Sequence, residues 1–460
     1  MRRARIVALA TYSLLVAPGL ARAQQPEPDP DAEELEELEE LEPMDSIESI
    51  GVEDESVLDA TFIVFTGTSS LFGSSATEVD GETERADFAL VVERIRPTLT
   101  VSAGEWWSAE VAYDVIPLIG ANPAAGGQSV GGLAVQGVGL SALRLVDADT
   151  ELYASDSGWV VQQNIDRLNV RLGEVGREVT IGRQAFSHGS ALMFPATDIF
   201  APFGPGTINT EFKRGVDAVR GTFAINPDHE LELFVIAHEP DVVLGADDAR
   251  VDFEEWMYLL RWRGIFPGLF DVSLFGGTTY AQPTVGADVA SSLFGATIYA
   301  EGMARFALGD DQDTSVQATA GFNAQWTSQL SLIGEVYYSS LGAEAPFARA
   351  LTAPSLARQV GELNYFGNWY AGLTGSYARE LVRGGVGYIQ NLQDGSVLLT
   401  GNLGYDFAEN VAVGLGALVP IGRRVRLEET QGLAGVQIPV IESEFGLFPT
   451  LLFADVQMTF

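Results

Sequence analysis

Apolar and polar residues alternate along most of this 460-residue chain after residue 58. The longest regular run extends from Ser315 to Trp326, where every second residue is apolar and those between are polar or glycine. Because successive side chains of a β-strand point to opposite faces, this pattern indicates a strand with one apolar and one polar face. The final segment, Leu451 to Phe460, alternates in the same way and ends on an aromatic residue. The pattern suits a transmembrane barrel, but alternation alone also suits a soluble sandwich.

Three further features favour the barrel. Short turns such as Val175-Gly176 and Ala408-Glu409-Asn410 alternate with much longer connections, as in barrels with tight periplasmic turns and long outer loops. About 400 residues of strand pattern without a helical stretch exceed what one ordinary sandwich contains. Aromatic residues fall at strand ends, where girdles at the two membrane interfaces would place them: Trp106, Trp107, Trp262, Trp326, Trp369 and Phe460. We therefore predict an all-β fold, a transmembrane antiparallel β-barrel.

The strands and turns give a count of eighteen, with the start of the first strand and the end of the last strand on the periplasmic side. An antiparallel barrel whose two ends lie on one side requires an even number of strands. The segment 286–307 is the hardest to divide, and sixteen strands is the alternative. The predicted strands are residues 59–68, 86–102, 105–117, 160–173, 178–186, 214–225, 229–239, 252–264, 269–281, 286–295, 297–307, 314–326, 330–340, 367–379, 382–391, 396–407, 411–419 and 448–460.

Two segments precede the barrel, which is predicted to occupy residues 58–460. Residues 1–23 combine a basic start, an apolar run from Ile6 to Val16 and a small-residue cleavage site at Ala21-Arg22-Ala23, which predicts a secretory signal peptide. Residues 24–57 contain fifteen carboxylates and no basic residue, so we expect an acidic, disordered periplasmic segment. Its Glu-Glu-Leu repeats leave another interpretation open, a short helix that docks on a partner or plugs the barrel from below.

Charge and composition exclude several classes of function. The formal net charge is −37, which argues against nucleic-acid binding because phosphates require a basic patch. The chain has no cysteine and three scattered histidines, so we expect neither a disulfide framework nor a metal site. His188-Gly189-Ser190 lies in a predicted loop, but neighbours in sequence do not form a Ser–His catalytic pair by that spacing alone. We expect no catalysis and no cofactor.

A series of three motifs lies between residues 179 and 220. Gly182-Arg183-Gln184 is followed by Pro195-Ala196-Thr197-Asp198 and by Gly215-Val216-Asp217-Ala218-Val219-Arg220. The series resembles the GRQ, PTD and GVDA-R passage of porin-like outer-membrane barrels, including the alginate-export type of eighteen-stranded channel, although an alanine interrupts the PTD element. The match covers about forty of 460 residues. Those exporters have a strongly basic lumen, whereas this chain is acidic, which argues against an alginate-like substrate.

The resemblance implies that the loop at residues 187–213 folds into the lumen and narrows the pore. A long loop without secondary structure is uncommon unless it is functional, and its apolar side chains would be poorly placed in water. We expect the apolar residues to pack on the inner wall while Asp198, Lys213 and Arg214 face the aperture. The predicted constriction residues are Phe194, Asp198, Phe200, Phe203, Lys213 and Arg214.

Strand alternation also predicts which charged side chains line the lumen. A charge on the lipid face near the membrane midplane costs about 2–4 kcal/mol, so charged residues are placed inside. The predicted lumen residues are Arg94, Arg96, Arg167, Arg171, Arg220, Arg261, Arg263, Arg305, Glu110, Asp114, Glu301 and Glu335. Such charges tune which solutes pass; alternatively, the arginines only pair with carboxylates and fill a narrow lumen. Arg183 shares the parity of Val179 and Ile181, so we expect it beyond a bulge or reaching out to lipid phosphates.

Together these features predict a porin-like channel in the outer membrane of a Gram-negative bacterium. Small polar or charged solutes would diffuse through its constricted lumen, or a polymer would be exported. Two alternatives stay open, an outer-membrane hydrolase with its site on the outer loops and a closed-lumen, surface-binding barrel. The expected partners are outer-membrane lipid and lipopolysaccharide, a small-molecule or oligosaccharide solute, and the β-barrel assembly machinery, which would recognise the strand ending at Phe460.

Overall fold

The computed structural model describes residues 58–79, 82–120, 129–130, 133–134, 143–145, 150–155, 158–203, 211–239, 253–309, 313–342, 365–429 and 437–460. The predicted signal peptide and acidic segment lie outside the described residues. Within them, no helix is long and apolar enough to cross a membrane.

Eighteen strands form a closed antiparallel barrel in which neighbours in sequence are neighbours in the sheet. They are β1 (Leu58–Val79), β2 (Glu82–Ala103), β3 (Trp107–Ile119), β4 (Trp159–Glu174), β5 (Arg177–Gln184), β6 (Val216–Asn226), β7 (His229–Ile236), β8 (Met257–Phe266), β9 (Phe270–Thr279), β10 (Gln282–Leu293), β11 (Ala296–Arg305), β12 (Ser315–Gln325), β13 (Leu330–Ser339), β14 (Trp369–Arg379), β15 (Val382–Asn391), β16 (Val397–Ala408), β17 (Val411–Ile421) and β18 (Thr450–Thr459).

The first and last strands close the barrel. β18 pairs with β1 from Thr459 opposite Phe65 to Thr450 opposite Ser74. Beyond this register, Val64 and the terminal residue exchange two backbone hydrogen bonds of 3.0 and 2.9 Å. Each of the eighteen strands therefore has a partner on both sides, and the ladder has no free edge.

The predicted strand count is confirmed. Each predicted strand corresponds to one strand of the barrel, and the turn at Phe294-Gly295 divides the segment 286–307. The sixteen-stranded alternative is therefore wrong. β1 and β2 are longer than predicted, because they remain paired as far as Val79 opposite Glu82. Serine and glycine between residues 69 and 75 interrupt the apolar alternation there, which hid this extension in the sequence.

The two ends of the barrel differ. Turns of two to four residues join β2 to β3 and every second pair of strands after it, and we call this the short-turn end. The opposite, loop end carries the longer connections, including residues 185–215 between β5 and β6. Short elements within these connections are the paired segments Ser129–Val130 and Leu133–Ala134, the strand Thr150–Ser155, the paired segments Val425–Glu429 and Gln437–Val440, and a 3-10 turn at Phe445–Leu447.

Outward-facing side chains form an apolar band around the barrel. Leu168, Leu260 and Leu415 on this face are each more than half exposed, whereas the alternate, inward positions are largely buried. Exposed tryptophans flank the band, with Trp326 at the short-turn end and Trp369 at the loop end. An apolar exterior with aromatic girdles is what a bilayer requires of a transmembrane barrel.

Candidate functional site

The connection between β5 and β6 folds into the barrel. We call it the inner loop, residues 185–215, of which the structure describes all but 204–210. Phe194 and Phe200 are at most 1% exposed. They are buried because they pack against inward-facing side chains of the wall; Phe194, for example, stacks on Tyr337 of β13 with 5.7 Å between ring centroids. The inner loop therefore packs on the inner wall, as expected from the sequence.

Two carboxylates on one side of the lumen hold the inner loop. Glu335 of β13 accepts hydrogen bonds from the backbone N–H groups of residues 192–194 at 2.6–3.1 Å. Glu301 of β11 accepts three more, from Ser190-Ala191 and Thr197, at 2.7–2.9 Å. Both carboxylates are at most 4% exposed, so these bonds replace the water that an exposed carboxylate would bind. In turn, the carboxylates satisfy loop N–H groups that have no strand partner.

The returning part of the inner loop contacts the opposite side of the lumen. Phe212 packs edge-on against Phe65 of β1, with ring centroids 5.0 Å apart. On β2, the guanidinium carbons of Arg96 and Arg94 lie 4.1 and 4.9 Å from the same ring centroid, which is cation–π geometry. β2 lies across the ring of eighteen strands from β11. The inner loop therefore contacts both sides of the lumen and narrows it.

Asp198 and Lys213 bind each other instead of facing an aperture. The Lys213 ammonium donates to the Asp198 carboxylate and, at 3.0 Å, to the Ser187 hydroxyl. The two charged side chains are only 5% and 10% exposed. The expectation that they face the aperture is therefore wrong, because opposite charges buried in one loop are stabilised by pairing. The pKa of Lys213 is lowered by burial, which Asp198 opposes. Phe203 and Arg214 are half-buried.

A bulge in β4 turns two consecutive charged residues into the lumen. Opposite Ala112-Tyr113 of β3, the pairing skips Asp166. Asp166 and Arg167 are consequently both buried on the inner side. Asp166 accepts from Arg96 at 2.8 Å and from Arg167 at 2.7 Å. Sequence reasoning placed Arg167 inward and missed Asp166, the carboxylate that joins the two arginines.

Most of the other predicted lumen arginines bind carboxylates. Arg94 donates to Asp114 at 2.6 and 3.0 Å. Arg220 and Arg261 share Glu232, with distances of 3.0 and 3.1 Å. Arg171 pairs with Glu178 at 3.1 Å at a less buried position, and Arg305 donates to the Thr279 hydroxyl at 3.1 Å. Glu110 accepts from Asn169 at 3.3 Å, and Arg263 is half-buried on the inner side of β8.

The buried charged residues of the inner wall form a set that we call the charged belt. Its members are Arg94, Arg96, Asp114, Asp166, Arg167, Glu232, Arg261, Glu301, Arg305 and Glu335.

Arg183 lies within the wall near the loop end. It donates to Asp217 of β6 at 2.7 and 2.9 Å and to the backbone oxygen of Ile165 at 2.9 Å. A short stretch of the β3–β4 connection, residues 143–145, covers the pair, because the N–H of Leu145 donates to Asp217 at 2.8 Å. The expectation of a contact with lipid phosphates is therefore wrong, since this arginine already has a protein carboxylate.

An arc of apolar side chains, contributed by β1–β4, β13, β14 and β16–β18, lies between the charged belt and the loop end. On β2, for example, Leu90 and Val92 continue the inward parity of the arginines towards the loop end. We call this arc the apolar collar: Leu71, Leu90, Val92, Ile116, Leu118, Val160, Tyr337, Tyr370, Leu398, Leu418 and Leu451. Met193, Phe194 and Phe445 from the loops fill it and belong to the same buried cluster. Sequence reasoning did not identify the collar, because it assigned apolar side chains to the outer face.

A buried glutamate fixes a second loop at the collar. Glu444 precedes β18 and accepts hydrogen bonds from the Tyr370 hydroxyl, from Asn391 at 2.9 Å and from the Phe366 N–H at 3.2 Å. Burial raises the pKa of Glu444 to about 7, and the neighbouring Asp394 acts in the same direction. The contacts of Glu444 place Phe445 inside the collar.

His188, a candidate in the hydrolase alternative, lies inside the barrel. Its ring is 4.7 Å from that of Phe200 and 4.8 Å from that of Phe234, both in edge-to-face contact. The Ser190 hydroxyl donates to Asp288 of β10 at 3.1 Å. These residues therefore belong to the packing of the inner loop.

No family model and no curated protein matches this chain. Solved structures do resemble it. OccAB1 of Acinetobacter baumannii is 10% identical, with 87% of this chain and 96% of that chain aligned at a TM-score of 0.52. The outer membrane protein OpdK from Pseudomonas aeruginosa is 9% identical over 86% and 99% of the two chains, with a TM-score of 0.46. The outer membrane channel DcaP of Acinetobacter baumannii is 10% identical over 89% and 99%, with a TM-score of 0.41. The fold is that of an outer-membrane porin barrel.

Proposed function

We propose that this chain is a porin-like channel of the Gram-negative outer membrane through which small polar or charged solutes diffuse. The observation that carries the proposal is the inner loop, which Glu335 and Glu301 hold across the lumen from the inside. A loop that contacts both sides of the barrel leaves a narrow bore, which favours small solutes over a polymer. Diffusion through this bore requires no reaction and no cofactor.

The charged belt supports passage of solutes of either sign. It contains as many carboxylates as arginines. Arg94, Arg96, Arg167 and Arg261 form ion pairs with Asp114, Asp166 and Glu232, whereas Glu301 and Glu335 bind the inner loop. A lumen for an anionic polymer of the alginate type would need surplus positive charge. We therefore propose weak ion selectivity and no polymer export, in spite of the motif resemblance to alginate exporters.

Planar-bilayer recording of the purified barrel tests the proposal. We expect discrete conductance steps with permeability to both K⁺ and Cl⁻, and no block by added alginate. A correctly assembled barrel, identified by heat-modifiable migration on gels, that gave no conductance would contradict the channel. Block by alginate from one side would instead identify a polymer-export channel.

A closed-lumen barrel is the second candidate, because one specific observation favours it. The apolar collar is filled by Met193, Phe194 and Phe445 in this conformation, and a dry apolar constriction excludes ions. The two candidates differ in the behaviour of the collar. A channel conducts when the loops leave the collar, whereas a closed barrel remains silent even after shortening of the inner loop.

A further inference from the structure

A notch lies in the lumen wall on the side of β15 to β18. In one cross-strand row, Arg383 stands opposite Gly404, Gly404 opposite Gly414, and Gly414 opposite Asp455. Flanking residues such as Leu415 are exposed on the outer face, so the row itself faces inward. Because the two central residues have no side chain, the side chains of Arg383 and Asp455 extend over Gly404 and Gly414, and a small space remains between the guanidinium and the carboxylate. We call it the glycine notch.

Asp455 lies in the glycine notch without a hydrogen-bond donor. It is 6% exposed, and neither carboxylate oxygen has a hydrogen-bond partner among the described residues. A Cβ atom at Gly414 would come within 2.3 Å of one of these oxygens, so the carboxylate lies directly over that glycine. Asn402 contributes a further buried oxygen, Oδ1, that also lacks a donor. Buried oxygens of these kinds are normally satisfied, so three of them in one place indicate a ligand.

Charge and space define what the notch accepts. Arg383 pairs with Asp406 at 2.5 Å, and the formal charges of Arg383, Asp406 and Asp455 sum to −1. Asp455 and Asn402 line a cavity with a volume of about 10 Å³. This volume holds a single water molecule or a small ion.

We propose that the glycine notch binds one monovalent cation, such as Na⁺ or K⁺, through the carboxylate of Asp455 and the amide oxygen of Asn402. Carboxylate and amide oxygens are the ligands that hard cations prefer. A calcium ion takes six to eight oxygen ligands, more than the three side-chain oxygens of the notch provide. One net negative charge also matches one positive charge. The inference rests on the proposed function only in that ions must enter the lumen to reach the site.

Thallium(I), a strongly scattering substitute for K⁺, tests the site in crystals of the full barrel grown in thallium acetate. We expect an anomalous peak in contact with Asp455 and Asn402. The peak should be lost in Asp455→Asn, which keeps the size of the side chain, and kept in Asp271→Asn, which removes an exposed carboxylate on β9. Absence of the peak in the wild-type barrel, its persistence in Asp455→Asn, or an Arg383 turned directly onto Asp455 would each overturn the proposal.

Bilayer recordings keep this test separate from that of the channel. A thallium peak in a barrel without conductance would support the cation site and contradict the channel. Conductance without a thallium peak would support the channel and contradict the site. If both hold, Asp455→Asn should also lower the preference for K⁺ over Cl⁻ in a salt gradient, because the lumen loses one negative charge.

Discussion

The apolar collar and the charged belt lie on the same inner wall and contact the same loop, but different forces hold them. In the collar, Phe194 is fixed by non-directional packing against Tyr337 and its neighbours. In the belt, Glu335 fixes the preceding loop backbone through directional hydrogen bonds. Packing is lost gradually as groups separate, whereas a buried ion or hydrogen-bond donor without its partner is costly at once. We therefore expect the collar to control whether the lumen is open, and the belt to control its shape and selectivity.

Removal of residues 190–197 should have the largest effect, because this segment serves both regions. It contains Met193 and Phe194, which fill the collar, and the N–H groups bound by Glu301 and Glu335. We expect single-channel conductance to rise several-fold while the barrel still assembles, since no strand is shortened. Unchanged conductance in a heat-modifiable barrel would show that the inner loop does not set the bore.

Asp114→Ala should damage the belt alone. The substitution leaves Arg94 and Arg96 buried without their nearest shared carboxylate. Breaking a buried pair from one side costs about 3–5 kcal/mol, which urea unfolding of the barrel in lipid vesicles would measure. Glu178→Ala is the matched control, because its partner Arg171 is about one-third exposed; such pairs contribute roughly 0–1 kcal/mol. Equal losses for the two variants would contradict a distinct buried belt.

Phe194→Ala should open the collar without altering the belt. Truncation of a fully buried phenylalanine costs about 3–5 kcal/mol. Here the loss weakens docking of the inner loop and leaves the pairing of the strands unchanged. We expect higher open probability in bilayers with an unchanged reversal potential. Phe203→Ala, in the same loop but half-buried, should have a smaller effect. A shifted reversal potential in Phe194→Ala would show that the two regions are not separable.

Acidification should close the collar through Glu444. Burial raises the pKa of Glu444 from an ordinary value of 4.5 to about 7 when its loop is docked in the collar. At a pH between these two values, the docked state therefore binds more protons than the state in which the loop is released. Docking is therefore strengthened as pH falls through 7 and weakened as pH rises, by up to about 3 kcal/mol. We expect open probability to decrease from about pH 8 to about pH 5.

Glu444→Gln provides the control for this pH dependence. The amide keeps an oxygen acceptor for Tyr370 and Asn391 but cannot titrate. The variant should show a flat profile between the same pH values. A wild-type response that survives in Glu444→Gln would assign the effect to another group.

The fold was predictable from local pattern, because side-chain alternation and turn residues are properties of neighbours in sequence. The same parity that placed Arg94 and Arg96 inside also extends to Leu90 and Val92. These two were nevertheless not assigned to the lumen, because an apolar side chain of a membrane strand was expected to face lipid. They are buried inside only because loop residues far along the chain fill the space between them.

The site depended on two kinds of information that local pattern lacks. The bulge at Asp166 left a trace, since polar residues occupy even positions at Gln162 and Asn164 and odd positions at Asn169 and Arg171. A search for such a change of parity would have found it. The pairing of Asp198 with Lys213 and of Glu335 with the inner loop left none, because these contacts join distant segments.

Closure of β1 onto β18 also governs how the molecule reaches its native state. The paired residues Phe65 and Thr459 are almost 400 positions apart, whereas the other barrel strands pair with sequence neighbours. The chain entropy lost on joining two points grows with the logarithm of their separation. We therefore expect the hairpins to form before the seam between β1 and β18, which requires the last strand. Until then both outer strands expose unpaired backbone that invites aggregation, so delivery to the membrane must outpace self-association.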